Sequence, residues 1–156
     1  MKKNKSRQNS GMMTALAAFF ALTTALATGT GAAQSADVVV YKSPSCGCCK
    51  HWVTHMRRNG HSVKTQDLDD LDVIKKMSGV PEPFQSCHTA MVDGYIIEGH
   101  VPAKDVERLL KDRPKARGLA VPGMVAGSPG MEQGEPERYN VLLFQPDGSS
   151  SVYARY

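Results

Sequence analysis

The sequence predicts an α/β fold, a thiol-bearing mixed sheet flanked by helices, with a C-terminal Gly/Pro loop and a β-hairpin as an extension. Three observations predict it. A β-branched run at Asp37-Val38-Val39-Val40-Tyr41 leads through Ser43-Pro44-Ser45 into a helical stretch. Strand-like and helix-like segments then alternate, which sets up a parallel pair. An Asp93-Gly94 turn between apolar runs marks a later antiparallel hairpin.

The elements follow in order. The first helix spans about Cys48 to Arg58, with Trp52, His55 and Met56 at helical spacing on one side and Asn59-Gly60 as its stop. His61 to Leu68 is a second strand. Asp69-Asp70 caps a second helix, from about Leu71 to Met77, which ends before Gly79-Val80-Pro81. Thr89 to Ile97 supplies the hairpin strands. Pro102 starts a third helix whose apolar face is Val106, Leu109 and Leu110. From Gly118 to Gly134 the chain reads as a long Gly/Pro loop carrying Met124 and Met131. Tyr139 to Phe144 and Ser151 to Tyr156 read as two strands joined at Pro146-Asp147-Gly148.

The N-terminus is set apart from this fold. Lys2, Lys3, Lys5 and Arg7 precede an apolar run from Met12 to Ala27, and small residues lead to Ala33-Gln34-Ser35-Ala36. That is the layout of a cleaved secretory signal, with the cut expected near Ser35 or Ala36. The run is too short and too often interrupted by Thr for a membrane span. No Cys stands at the expected cut, so a lipoprotein signal is not indicated. The expected organisation is a signal over 1–36, a main domain over 37–113 and a loop-and-hairpin extension over 114–156 that packs on the same domain. The formal charge of +4 on 156 residues comes from the four signal cations. The remainder is formally neutral, which gives no electrostatic footprint for nucleic acid.

The four cysteines concentrate the chemistry. Cys46, Cys48 and Cys49 lie within four residues, and Cys87 stands alone. Clustered thiols cannot staple distant segments, so the pattern reads as a site rather than a disulfide scaffold. A strand, a short loop and a Cys-x-x-Cys pair opening a helix form the thioredoxin arrangement, here with Cys46 and Cys49 as the pair. Helix N-terminal amides and the helix dipole favour thiolate there. Cys48 is a third thiol for which simple disulfide exchange has no use. Soft thiolates suit Cu(I), Zn(II) or iron–sulfur units. In thioredoxin-like folds a proline before the third strand faces the Cys-x-x-Cys loop. This chain has Ser86-Cys87-His88-Thr89 in that place, so Cys87 and His88 are expected beside the other thiols.

The remaining candidates are weaker. His51 and His55 are spaced i, i+4 on one helical face, which suits a metal or a solvated surface. Met124 and Met131 offer thioethers or loop packing. Trp52 reads as core or as a cover over the site. Asp67, Asp69, Asp70 and Asp72 read as caps and solvated charges. His61 and His100 read as turn residues with no specific role.

The segments Val40-Tyr41-Lys42-Ser43-Pro44-Ser45-Cys46-Gly47-Cys48-Cys49-Lys50-His51-Trp52, Ser86-Cys87-His88-Thr89-Ala90, Gly99-His100-Val101-Pro102, Gly118 to Met124 and Gly127 to Glu132 together carry a resemblance. They resemble a bacterial metal-binding family designated domain of unknown function 411, which includes periplasmic copper-resistance proteins of the CopG type. The resemblance implies a thioredoxin-like fold, a copper site at Cys46, Cys48, Cys49 and Cys87 with the adjacent His88, and copper handling outside the cytoplasm. Its expected partners are copper ions and other periplasmic copper-handling proteins, with neither nucleic acid nor a stable membrane insertion. The expected chemistry is Cu(I) on reduced thiolates, in one or several ions, with oxidation forming a Cys46–Cys49 disulfide. The rivals are a thiol–disulfide oxidoreductase, in which Cys46 attacks and Cys49 resolves, and a zinc-binding protein on the same ligands.

Overall fold

The computed structural model describes residues 35–156. The cationic start and the apolar run read as an export signal lie outside the described residues. The described chain runs β1 (Asp37–Lys42), α1 (Gly47–Arg58), β2 (Ser62–Asp67), α2 (Asp72–Met77), a 3-10 turn at Glu82–Phe84, β3 (His88–Val92), β4 (Tyr95–Glu98), α3 (Ala103–Asp112), β5 (Gly118–Ala120), β6 (Asn140–Phe144) and β7 (Ser150–Arg155). The α/β architecture expected from the sequence is the one observed: a single seven-stranded sheet in the order β2-β1-β3-β4-β5-β6-β7. β1 pairs with β2 in parallel, and β3 pairs antiparallel with both β1 and β4. Among the described residues no helix is long and apolar enough to cross a membrane.

Period-two alternation divides the core between the two faces of the sheet. Ile97, Leu119, Val38 and Val40 join Trp52, Met56, Val106 and Leu109 in the larger cluster. Their strand neighbours Ile96 and Ala120 turn the other way, onto Phe144, Val80 and Phe84. α1 is held down by Trp52, Val53 and Met56, all buried, and each such side chain contributes roughly 1.5–3 kcal/mol. β2 keeps only Val63 buried, as its edge position allows.

One sequence expectation fails here. The stretch from Gly118 reads as loop, yet Gly118–Ala120 is a strand inside the sheet, parallel to β4 and antiparallel to β6. Gly118 lies so close to the Ile96 backbone that any Cβ would collide with it. Glycine marks this place because the backbone there admits no side chain. A three-residue strand is also too short to show a period.

Candidate metal centre

The site begins at the N-terminus of α1. Cys46 is the N-cap, extended at φ −69° and ψ 103°, and its sulfur accepts the Cys49 backbone N–H at 3.2 Å. It is joined to Cys49 by a disulfide, while Cys48 and Cys87 are free thiols. Cys49 is fully buried, whereas Cys46 and Cys48 are half-buried. No acidic residue occupies the first turn of α1, so the positive end of the helix is not offset there.

The second half of the site arrives on the β3–β4 hairpin. Asp93 and Gly94 both take positive φ, 48° and 86°, as a two-residue hairpin turn demands. That turn sets the register: Val92 faces Tyr95 and Thr89 faces Glu98. Continued beyond the strands, the same register sets His88 against Gly99, whose N–H bonds the His88 carbonyl at 3.0 Å, and Cys87 against His100. Cys87 Sγ lies 3.5 Å from Cys49 Sγ and 3.7 Å from Cys48 Sγ, and Cys48 Sγ lies 3.4 Å from Cys46 Sγ. All four sulfurs fall within 4.8 Å of one another.

A second group shares Cys87. Its sulfur, His88 and His100 also present donor atoms within 4.8 Å of one another. Cys87 Sγ is 3.5 Å from His88 Nδ1 and 3.0 Å from His100 Nε2. His88 is fully buried, tilted against Trp52 with ring centroids 4.5 Å apart and edge-on to His100 at 5.0 Å. Trp52 in turn donates its indole N–H to the Val101 carbonyl at 2.8 Å, so it forms the floor of the site and ties α1 to the end of the hairpin.

His100 corrects the sequence reading, which gave it no specific role. Its Nδ1 meets the Pro129 carbonyl at 2.8 Å. A carbonyl only accepts, so this partner assigns the proton to Nδ1 and leaves the Nε2 lone pair facing Cys87. An outer contact that fixes an imidazole's tautomer is the usual support of a metal-ligating histidine. The loop makes the contact because Gly130, at φ +88°, lets its backbone press onto α1. A Cβ there would lie 2.8 Å from both the Cys48 carbonyl oxygen and the Trp52 nitrogen, and 3.3 Å from His100 Nδ1. The loop expected to be a Gly/Pro tail is thus the lid that orients His100. The register of the Asp93-Gly94 turn was the sequence signal that could have paired His100 with Cys87.

The other candidates separate. His55 Nε2 accepts the Ala103 N–H at 3.0 Å and so caps α3. His51 is exposed, and with Cys48, Gly130 and Met131 it lines a cleft of about 280 Å³ at the mouth of the thiols. Met124 is exposed and follows Gly123, which is bridged to Ser86. Asp70 accepts the Asp72 N–H at 2.8 Å and Asp67 pairs with Lys42 at 2.5 Å, so these acids serve structure. His61 is buried with neither ring nitrogen hydrogen-bonded.

Electrostatics distinguishes the donors. Burial, reinforced by the neighbouring Cys48, pushes the Cys87 thiol up to about 12. Burial holds His88 well below the usual histidine range, with His100 and Lys75 adding to it. Burial also lowers His100, against the opposing pull of the Pro129 carbonyl and Glu132. Both imidazoles are therefore neutral at neutral pH and offer lone pairs. With the Cys46–Cys49 disulfide reduced, the donor set becomes three sulfurs near a positive helix end, a fourth that must shed a proton to bind, and two neutral imidazoles. That combination fits a soft cation.

Comparison with known proteins agrees with this chemistry. A family model described as "Protein of unknown function, DUF411" matches residues 84–131, the stretch that carries Cys87, His88, His100 and the lid. Two solved structures are similar to the chain over 79% of its length at 41% identity: "Copper resistance protein copG- Form 2", covered to 99% with a TM-score of 0.75, and "Copper resistance protein copG- Form 1", covered to 98% with a TM-score of 0.74. A search of curated proteins finds no match.

Proposed function

The chain belongs to the family of the copper resistance protein CopG, and from that premise we propose that it is a periplasmic copper-binding protein that holds Cu(I) on Cys46, Cys48, Cys49 and Cys87. His88 and His100 complete the donor set. The observation that carries this reading is the convergence of four sulfurs from two separate elements within 4.8 Å. Zinc would suit closed tetrahedral ligand pairs. Four close sulfurs with two further nitrogens instead allow bridging between more than one soft ion. Residues 1–36 act as the cleaved export signal, and residues 37–113 with the extension over 114–156 form the working protein.

The redox chemistry follows from the same thiols. When Cys46 and Cys49 thiolates join, two electrons leave them, and two Cu(II) ions each take one to become Cu(I). The reverse step spends two Cu(I) to regenerate the thiolates. Cys48 and Cys87 stay reduced throughout and retain the cargo. A Cys46–Cys49 disulfide beside two free thiols supports this division of labour.

Titration of the reduced domain, residues 37–156, with Cu(I) against a competing chelator tests the binding claim. Stoichiometric binding is expected, with loss in Cys48→Ser/Cys87→Ser. Absence of binding, or binding unchanged in the double variant, overturns it. The same disulfide at a helix start also favours a second reading, thiol–disulfide exchange on protein substrates with Cys46 attacking and Cys49 resolving. A trapped mixed disulfide in Cys49→Ser is its signature.

A further inference from the structure

Behind the thiols lies a buried ion pair that the copper chemistry does not use. Lys75 on α2 and Glu98 at the end of β4 are both buried, with Lys75 Nζ 2.5 Å from Glu98 Oε1. Glu98 Oε1 also accepts the Ser86 backbone N–H at 2.7 Å, and Oε2 accepts the Thr89 hydroxyl at 2.6 Å. Lys75 Nζ reaches Thr89 Oγ1 at 3.2 Å. One carboxylate therefore grips the chain on both sides of Cys87-His88, at the residue just before and the residue just after.

Stability alone is a poor reason for such a pair. A buried ion pair pays a desolvation cost that its attraction barely recovers, and apolar residues of similar volume often do as well or better. Position is the better reason. Two residues beyond Glu98, past the end of β4, His100 touches Cys87. Gly99 between them has no Cβ, and one there would run into the Ser86 side chain and the Val121 carbonyl. The end of β4 thus holds the Ser86–Thr89 segment through Glu98, and the two residues after it meet the Cys87 sulfur through His100.

We infer that Glu98 is a positioning residue for Cys87: through Ser86 and Thr89 it fixes the Cys87 sulfur against the thiols of α1. Lys75 supplies the countercharge for the buried carboxylate, and the hydrogen bonds that Glu98 accepts set the segment. The consequence for copper rests on the reading proposed above, but the geometric claim does not.

The test compares two neutral replacements. Lys75→Met/Glu98→Gln removes both charges yet keeps an amide that can accept from Ser86 N–H and bond Thr89. Lys75→Met/Glu98→Leu removes the charges and the hydrogen bonds together. With the Cys46–Cys49 disulfide intact, dibromobimane bridges the free thiols Cys48 and Cys87, and the rate of bridging reads their juxtaposition without any copper. The Gln pair is expected to bridge within about twofold of the wild-type rate, and the folded Leu pair about tenfold or more slower, since displacements of order 1 Å cost that much or more in such reactions. Equal rates in the two pairs would overturn the inference. If the Leu pair does not fold, Thr89→Val, which removes the hydroxyl's contacts to Glu98 Oε2 and Lys75 Nζ but leaves the Ser86 contact, is expected to slow bridging about threefold on the same ground. An unchanged rate in Thr89→Val overturns the inference equally. Loss of copper binding in a protein whose bridging contrast is intact would sink the copper reading alone.

Discussion

The two halves of the thiol cluster are held by different physics. Cys46, Cys48 and Cys49 are placed by one helix start, a local device that works as soon as the α1 turn forms. Cys87 is placed by contacts far apart in sequence: a hairpin register, a buried ion pair from α2, and a lid that aligns His100. Its thiol is pushed up to about 12 by burial, so it stays protonated until a cation displaces the proton. The comparison teaches that local helix structure places three of the sulfurs and long-range sheet geometry brings the fourth to them.

Breaking the sheet half has the largest expected effect. Cys87→Ser is predicted to lower Cu(I) affinity by more than about 100-fold in chelator competition, beyond the 10–100-fold that loss of an outer partner costs a metal site. Cys46→Ser should cost less in binding but abolish disulfide formation with Cys49, which thiol counting on the oxidised protein checks. Gly130→Ala attacks the lid. Its φ of +88° and the crowding against α1 predict a loss of about 1–3 kcal/mol in denaturant unfolding. A His100→Leu substitution leaves every sulfur in place and is predicted to weaken Cu(I) binding about tenfold, in line with one lost nitrogen donor or its outer-sphere equivalent.

The smallest effect sharpens the contrast by lying outside both halves. His61 is buried without a hydrogen bond, and burial lowers its pKa, with Glu107 opposing. A folded value below the unfolded one means that the unfolded chain binds more protons as pH falls below about 6.5, so stability is present above that pH and lost beneath it. The unfolding free energy of the metal-free domain is predicted to decline on acidification. His61→Leu should flatten that decline and raise stability at pH 7 by about 1 kcal/mol, because an unsatisfied buried polar group is replaced by an apolar one. Urea unfolding at pH 5 and pH 7 measures both.

The legible parts of the molecule are those that local chemistry writes. The β1–loop–α1 start, the Asp93-Gly94 hairpin, the Pro102 start of α3 and the Pro146-Asp147-Gly148 turn each stand at or within two residues of where the sequence indicates. The meeting of Cys87 with the α1 thiols was also readable, because a Cys-x-x-Cys pair opening the first helix marks the thioredoxin arrangement, in which the segment before the third strand faces that loop; β3 lies beside β1 in the sheet. β5 was not readable, since Gly118-Leu119-Ala120 is too short for a period and its glycine serves a close approach to Ile96. His100 was missed for another reason: its role depends on Pro129, 29 residues away, and only the hairpin register connects it to Cys87. Likewise nothing local marks Lys75 and Glu98 as partners, since 23 residues and two elements separate them.

X-ray absorption on the Cu(I)-loaded domain and on its Cys87→Ser variant tests most directly whether one soft cation touches both halves. A sulfur-dominated first shell with a nitrogen component, losing sulfur amplitude in the variant, is the predicted result. A shell of nitrogen and oxygen alone, or a spectrum that Cys87→Ser leaves unchanged, would contradict the account.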